Sequence, residues 1–127
     1  RWMSEQNWIP DQVLCSTATR ARETLYLVSN EFSKKPPTEF LAELYEADPA
    51  RLVAVLCGVS EPTETVLIIG HNPGLEQFLE QITGQAERLP TAAVTRIELD
   101  LTSWSELTAA TRGRLIAVAR PRELFPE

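Results

Sequence analysis

The segment that most constrains this chain is Thr65–Gly74, which reads Thr-Val-Leu-Ile-Ile-Gly-His-Asn-Pro-Gly. Its nearly unbroken apolar run, Thr65–Ile69, is typical of a strand that is buried on both faces of a parallel sheet. Asn72 and Pro73 then suit the start of a helix, as N-cap and first-turn residue. His71, the only histidine in the chain, therefore lies between a buried strand and a helix. Open α/β sheets bind ligands at such junctions, and the free amides of a helix N-terminus favour anions.

A second unit of the same form lies earlier in the chain. Val13–Cys15 is a short apolar strand, and the apolar stripe beyond the next turn predicts a helix over residues 18–32. Arg20 and Arg22 fall in the first turn of this helix, where the helix dipole disfavours a cation by roughly 0.3–1 kcal/mol. Such a violation of a local rule is expected at a functional site. The alternative is that both arginines are solvated or paired with acidic residues.

Together the two units predict an anion site. The carboxyl ends of parallel strands meet at one edge of a sheet, so Arg20 and His71 are expected to share a crevice with two helix N-termini. A guanidinium offers a fixed fork for a phosphate or carboxylate, and an imidazole can donate a hydrogen bond or transfer a proton. A phosphoryl group is therefore the expected ligand. The alternative for His71 is a structural histidine that is hydrogen-bonded within its turn.

The rest of the chain fits one α/β domain. Asp48 and the proline after it suit the start of a helix that Gly58 ends. Alternating polar and apolar residues over 96–101 predict a half-buried strand, and a strand expected over 114–119 is close enough to pair with it in antiparallel orientation. Arg1–Asn7 has the pattern of the tail of a helix.

Composition and charge argue against several classes of function. The net charge of -6 disfavours a nucleic-acid-binding surface. Cys15 and Cys57 form no CxxC pair, and each lies in an apolar run, so both are expected to be reduced core residues of a cytoplasmic protein. One histidine and two separated cysteines do not make a set of metal ligands, and no cofactor is expected. We expect neither a membrane span nor a signal peptide.

Four motifs together resemble the histidine phosphatase (phosphoglycerate-mutase-like) superfamily. Leu14–Thr24, which reads Leu-Cys-Ser-Thr-Ala-Thr-Arg-Ala-Arg-Glu-Thr, is similar to the segment that carries the second phosphate-binding arginine of that superfamily. Gly70–Gly74 is similar to its second-histidine motif. Leu44–Ala47 and Leu89–Ala93 resemble the small SixA-type branch, whose members include phosphohistidine phosphatases. The resemblance covers nearly the whole chain.

The resemblance implies a role for several residues. Arg20 would bind the phosphoryl group of the substrate, and Asn72 would help to shape the phosphate pocket. His71 would stabilise the transferring phosphoryl group in the transition state. Glu46 would be the proton donor to the leaving group, with Glu43 as the second choice.

The chain departs from the family in one respect. The nucleophile of the family is a histidine in an Arg-His-Gly motif at the end of the first strand, and the printed sequence contains no such motif. We therefore expect that strand, with the nucleophile and the first phosphate-binding arginine, to lie upstream of Arg1. Residues 1–127 would then be a single domain without its first strand, unable by itself to form the phosphohistidine intermediate that covalent catalysis requires.

The sequence thus predicts a three-layer, phosphoglycerate-mutase-like α/β fold, N-terminally truncated, with a mostly parallel central sheet between helices on both faces. The intact protein is predicted to be a cofactor-independent phosphatase that hydrolyses phosphohistidine or a small phosphoester through a phosphohistidine intermediate. Its expected partner is a phosphorylated protein or small molecule, and neither a nucleic acid nor a membrane. The alternative is a domain that binds phosphate or another anion without turnover.

Overall fold

The computed structural model describes the chain in residues 9–30, 32, 34–60, 62–90 and 93–119. Three parallel strands form one sheet in the order β2-β1-β3, namely β1 (Gln12–Ser16), β2 (Thr38–Leu41) and β3 (Val66–Ile69). An antiparallel pair forms a second sheet, β4 (Val94–Leu99) with β5 (Gly113–Ala119). The predicted α/β class, with a parallel sheet and an antiparallel pair towards the C-terminus, is confirmed.

Within the described residues the α-helices are α1 (Thr19–Ser29), α2 (Pro49–Cys57) and α3 (Gly74–Thr83). Local sequence signals set the ends of two of them. The Asp48 side chain accepts a hydrogen bond from the Arg51 N–H at 2.9 Å and so caps α2, with Pro49 in the first turn. Gly84 ends α3 in the left-handed conformation, with φ at 76°, which glycine adopts without steric cost.

Strand β1 lies at the centre of the parallel sheet and contributes to a core on each face. Successive side chains of a strand point to opposite faces. Leu14, which is 3% exposed, packs in the cluster that contains α2 and α3, whereas Val13 and Cys15 pack on the other face with Ala21 of α1. Burial of Val13 and of Leu14 stabilises the fold by about 1.5–3 kcal/mol for each side chain. The predicted arrangement of helices on both faces is confirmed.

Several details differ from the sequence-based predictions. Strand β3 lies at one side of the described sheet, and Ile69 is its only buried residue, so its apolar run does not reflect burial on both faces. The sequence pattern predicts no strand over Thr38–Leu41, because three of these four side chains are exposed and only pairing with β1 defines β2. Helix α1 ends at Ser29, before the buried Phe32. The helix tail predicted over Arg1–Asn7 lies outside the described residues.

An open groove of about 660 Å³ lies between the two sheets. Residues of β3 and its approach, from Thr65 to Leu67, line one side, and β4 lines the other. Strand β1 pairs with one edge of β3, and no strand of the described ranges pairs with the other edge. An unpaired strand edge presents backbone donors and acceptors to which a further strand can add.

Candidate functional site

Two turns meet at the carboxyl edge of the parallel sheet. Ser16 is the last residue of β1, and His71 follows the end of β3 by two residues. The parallel register pairs Cys15 with Ile69, which brings the two turns side by side. The Ser16 Oγ and the His71 Nε2 are 2.8 Å apart, a hydrogen bond in which either group can donate, depending on the imidazole tautomer. This pair is the centre of the candidate site.

Ser16 is a site residue that sequence reasoning missed. Its side chain is fully buried, and its Oγ also accepts a hydrogen bond from the Ala18 N–H at 3.2 Å. The position of Ser16 just before a helix suggests an N-cap, and nothing in the local pattern indicates a partner 55 residues away. Because it is buried, the hydroxyl is unsuited to attack a substrate. Its geometry suits it to hold one nitrogen of the His71 ring.

Tyr45 contacts the same imidazole from another direction. The ring centroids of Tyr45 and His71 are 5.3 Å apart and the ring planes are inclined by 74°, an edge-to-face arrangement. Tyr45 is nevertheless 56% exposed. His71 is half-buried, so its ring is held from two sides and remains partly open to solvent.

Arg20 lies in the first turn of α1, four residues after Ser16, and its side chain is exposed. No hydrogen bond, ion pair or ring contact joins it to His71. Helix α1 has no side-chain cap at its N-terminus and no acidic residue in its first turn. The positive end of this helix therefore lies close in sequence to Ser16, and no acidic residue of its first turn offsets it.

Arg22 lies two residues after Arg20 in the same helical turn, and its side chain makes local contacts. Its Nε donates to the Thr17 carbonyl oxygen at 3.0 Å, and its guanidinium lies 4.7 Å from the centroid of the Phe40 ring. This is a cation–π contact. Phe40 is 46% exposed, so Arg22 and Phe40 cover each other at the surface. These contacts explain the presence of Arg22 in the first helical turn without a bound anion. Arg20 has no such contacts with Thr17 or Phe40.

Asn72 is bonded through both ends of its side-chain amide. Its Nδ2 donates to the Leu89 carbonyl oxygen, and its Oδ1 accepts from the Glu76 N–H at 3.3 Å. The Glu76 carboxylate in turn accepts from the Leu89 N–H at 2.6 Å. Asn72 thus ties the segment around Leu89 to the start of α3 and shapes the surroundings of His71. The prediction of Asn72 as N-cap and Pro73 as first-turn residue is wrong by one position, because helix α3 begins at Gly74 and Pro73 is its N-cap residue.

The two acidic candidates lie in the segment after β2. Glu43 is exposed in a short 3-10 turn, Ala42–Leu44, and Glu46 is exposed just beyond it. The Glu46 carboxylate accepts a hydrogen bond from the Tyr45 hydroxyl, and this bond with the adjacent negative charge raises the pKa of Tyr45. Glu46 is therefore linked to the His71 ring through Tyr45. Its part in proton donation stays a prediction.

The thiol nearest the site is not a candidate nucleophile. Cys15 is fully buried beneath Ser16, and burial raises the pKa of the Cys15 thiol, an effect that the charge of Arg22 only partly offsets. The reactive thiolate is therefore disfavoured at neutral pH. Cys15 and Cys57 are both free, and the Cys57 thiol donates to the Leu107 carbonyl oxygen at 3.0 Å. Cys15 is a core residue, as predicted, whereas Cys57 is only half-buried and packs against the edge of the core.

Within the residues that the structure describes, no three histidine, cysteine or acidic side chains come together as a metal-binding group would require. In the same residues, none of the helices is both long enough and apolar enough to cross a membrane.

Solved structures of SixA proteins match this chain over nearly its whole length. A protein of Agrobacterium tumefaciens described as the phosphohistidine phosphatase SixA is 25% identical, with a TM-score of 0.77 over 94% of this chain and 73% of that one. The corresponding protein of Nakamurella multipartitia is 20% identical, with a TM-score of 0.81 over 94% and 76%. The protein histidine phosphatase SixA complexed with tungstate is 24% identical, with a TM-score of 0.79 over 97% and 76%. The chain therefore has the fold of the SixA proteins.

This chain spans only about half to two thirds of the length of its sequence relatives. An uncharacterised protein of Mycobacterium tuberculosis is 31% identical over 104 residues, which are 73% of this chain and 63% of that protein. One of Mycobacterium leprae is 35% identical over 74 residues, 58% of this chain and 44% of that protein. An uncharacterised chloroplastic protein of Arabidopsis thaliana is 26% identical over 116 residues, 84% and 53% respectively. No protein-family model matches the chain.

Proposed function

We propose that the whole protein is a phosphatase that hydrolyses phosphohistidine or a small phosphoester through a phosphohistidine intermediate. One observation carries this proposal. His71 stands at the carboxyl edge of the parallel sheet, held by Ser16 at 2.8 Å, beside an uncapped helix N-terminus that carries Arg20. A helix N-terminus and an arginine beside an imidazole suit a phosphoryl group, whose negative charge must be stabilised during transfer.

In the proposed reaction a histidine nucleophile takes the phosphoryl group from the substrate, and the bond to the leaving group breaks. A proton donor, for which Glu46 remains the candidate, neutralises the leaving group. Water then attacks the phosphorus, and phosphate leaves as the nucleophile is regenerated. Arg20 would bind two phosphoryl oxygens through its planar fork, and His71 would donate a hydrogen bond to another in the transition state.

The nucleophile in this proposal is not a residue of the printed sequence, because its one histidine already has the stabilising role. We propose that a further strand of the whole protein carries it and lies in the groove between β3 and β4. The open edge of β3 borders that groove, and parallel addition there would bring the end of the new strand beside His71. No metal or organic cofactor is needed for this reaction, and we propose a cytoplasmic location.

A second candidate function is anion binding without turnover. The arrangement of Ser16, His71 and Arg20 would serve it equally well, since binding needs the pocket but not the nucleophile. Incubation of the whole protein with a histidine-phosphorylated protein and with small phosphoesters separates the two functions. Release of inorganic phosphate supports the phosphatase. Tight binding of tungstate or vanadate with no phosphate release supports the binding domain.

Arg20→Ala is expected to weaken vanadate binding by about 1.5–3 kcal/mol, or about 10- to 150-fold in Kd, the usual cost of losing a charge-assisted hydrogen bond. Arg22→Ala is the matched control, because it removes the same charge from the same helical turn. Its guanidinium is engaged by Thr17 and Phe40, so vanadate affinity should stay close to that of the wild type. Titration calorimetry measures both. Equal losses in the two variants would indicate nonspecific attraction and remove Arg20 from the pocket.

A further inference from the structure

The segment from Tyr45 to Ala47 is packed unusually closely against the start of α3. A Cβ built on Gly74 would lie 1.8 Å from the Ala47 carbonyl oxygen, far inside any real contact. Ala47 is itself buried, at 7% exposed. The backbone of this segment therefore rests directly on the helix N-terminus that follows His71, an approach that only glycine at position 74 permits.

The same segment contains a strained residue. Glu46 has φ at 50°, and within the described residues it is the only residue other than glycine with a positive φ. A side chain with a Cβ adopts this left-handed conformation only at a steric cost. Backbone strain of this kind tends to persist where the conformation serves a function. The residue before this strained position is Tyr45, whose ring contacts His71.

The contact that results cannot be explained by burial. Tyr45 is 56% exposed, so it gains little from removal of apolar surface from water. Its ring nevertheless meets the His71 ring edge-to-face.

We propose that Tyr45 is a positioning residue for His71. Ser16 fixes the direction of the Nε2 atom, and Tyr45 blocks rotation of the ring from the side, so that the imidazole is oriented before a phosphoryl group arrives. The consequence for catalysis rests on the proposed phosphatase function. Loss of orientation at a reacting group lowers the rate even when binding is intact, because a displacement of about 1 Å can cost about 100-fold.

The test compares Tyr45→Leu with Tyr45→Phe in the whole protein. Two quantities are measured for each variant: the NMR shifts of the His71 imidazole protons, assigned by their loss in His71→Gln, and the kinetic constants for phosphate release. Tyr45→Leu should remove the ring-current contribution to the His71 shifts and lower kcat by about 10-fold or more, with KM within about 2-fold. Tyr45→Phe keeps the ring and should retain both the shifts and kcat.

Three outcomes would overturn the proposal. Unchanged His71 shifts in Tyr45→Leu would overturn the contact itself, and altered shifts with unchanged kcat would overturn the positioning role. A loss in Tyr45→Phe equal to that in Tyr45→Leu would assign the effect to the hydroxyl and also overturn the proposal. If the wild type releases no phosphate, the proposed function fails, while unchanged His71 shifts in Tyr45→Leu would still overturn the contact between the two rings.

Discussion

His71→Ala in the whole protein is expected to lower phosphatase turnover by about 100- to 1,000-fold or more, the typical loss when one donor to the transition state is removed. The free energy of unfolding should fall by about 1–2 kcal/mol, because a half-buried imidazole loses its hydrogen bond to Ser16 and its edge-to-face contact with Tyr45. Phosphate release from a histidine-phosphorylated protein measures the first quantity, and urea denaturation measures the second.

The control for this prediction is Gln77→Ala, which changes an exposed side chain of α3 and should leave both quantities near the wild-type values. Near-normal turnover in His71→Ala would exclude a catalytic role for the histidine. A collapse of stability in the same variant would instead favour the structural interpretation, in which His71 serves the turn between β3 and α3.

Gly74→Ala should have the largest effect on stability. The added Cβ would meet the Ala47 carbonyl oxygen at 1.8 Å, and neither backbone can yield without moving the start of α3 or the segment that carries Tyr45. We expect a loss of about 3 kcal/mol, the upper end of the range for overpacking. For a domain of this size that corresponds to a fall in Tm of about 10–15 °C. Turnover should fall as well, since Tyr45 moves relative to His71.

Gly58→Ala is the matched control for this substitution. A Cβ at Gly58 would lie 3.5 Å from the Val55 carbonyl oxygen, an ordinary contact, and its φ of -87° suits any residue. Its unfolding free energy should therefore stay within about 0.5 kcal/mol of the wild type. Wild-type stability in Gly74→Ala would show that the close approach of Ala47 to α3 does not exist in solution.

Elements whose ends are set by neighbouring residues could be predicted from the sequence. Helix α2 starts at Asp48 and Pro49 and ends at Gly58, as local capping chemistry requires. The alternation over β4 and the short connection to β5 likewise predict an antiparallel pair. Strand β2 could not be found in this way, because its side chains are mostly exposed and its structure comes from pairing with β1.

In the candidate site, too, local features could be predicted from the sequence and contacts between distant residues could not. The strand–turn–helix pattern and the motif Gly70–Gly74 point to His71, but its two contacts come from Ser16 and Tyr45, residues that are distant in sequence. Arg20 and Arg22 have equivalent places in one helical turn. Only the structure shows that the guanidinium of Arg22 lies over the ring of Phe40 in β2.

The most direct test of the phosphatase account is to look for the phosphorylated enzyme. The whole protein is mixed with a histidine-phosphorylated substrate, stopped after milliseconds to seconds, and examined by mass spectrometry for a phosphoryl group on histidine. The account predicts a species that is labile in acid, forms before phosphate appears, decays as phosphate is released, and becomes scarce in Arg20→Ala. Phosphate release with no phosphoenzyme at any time, or a phosphoryl group found on His71 itself, would contradict it.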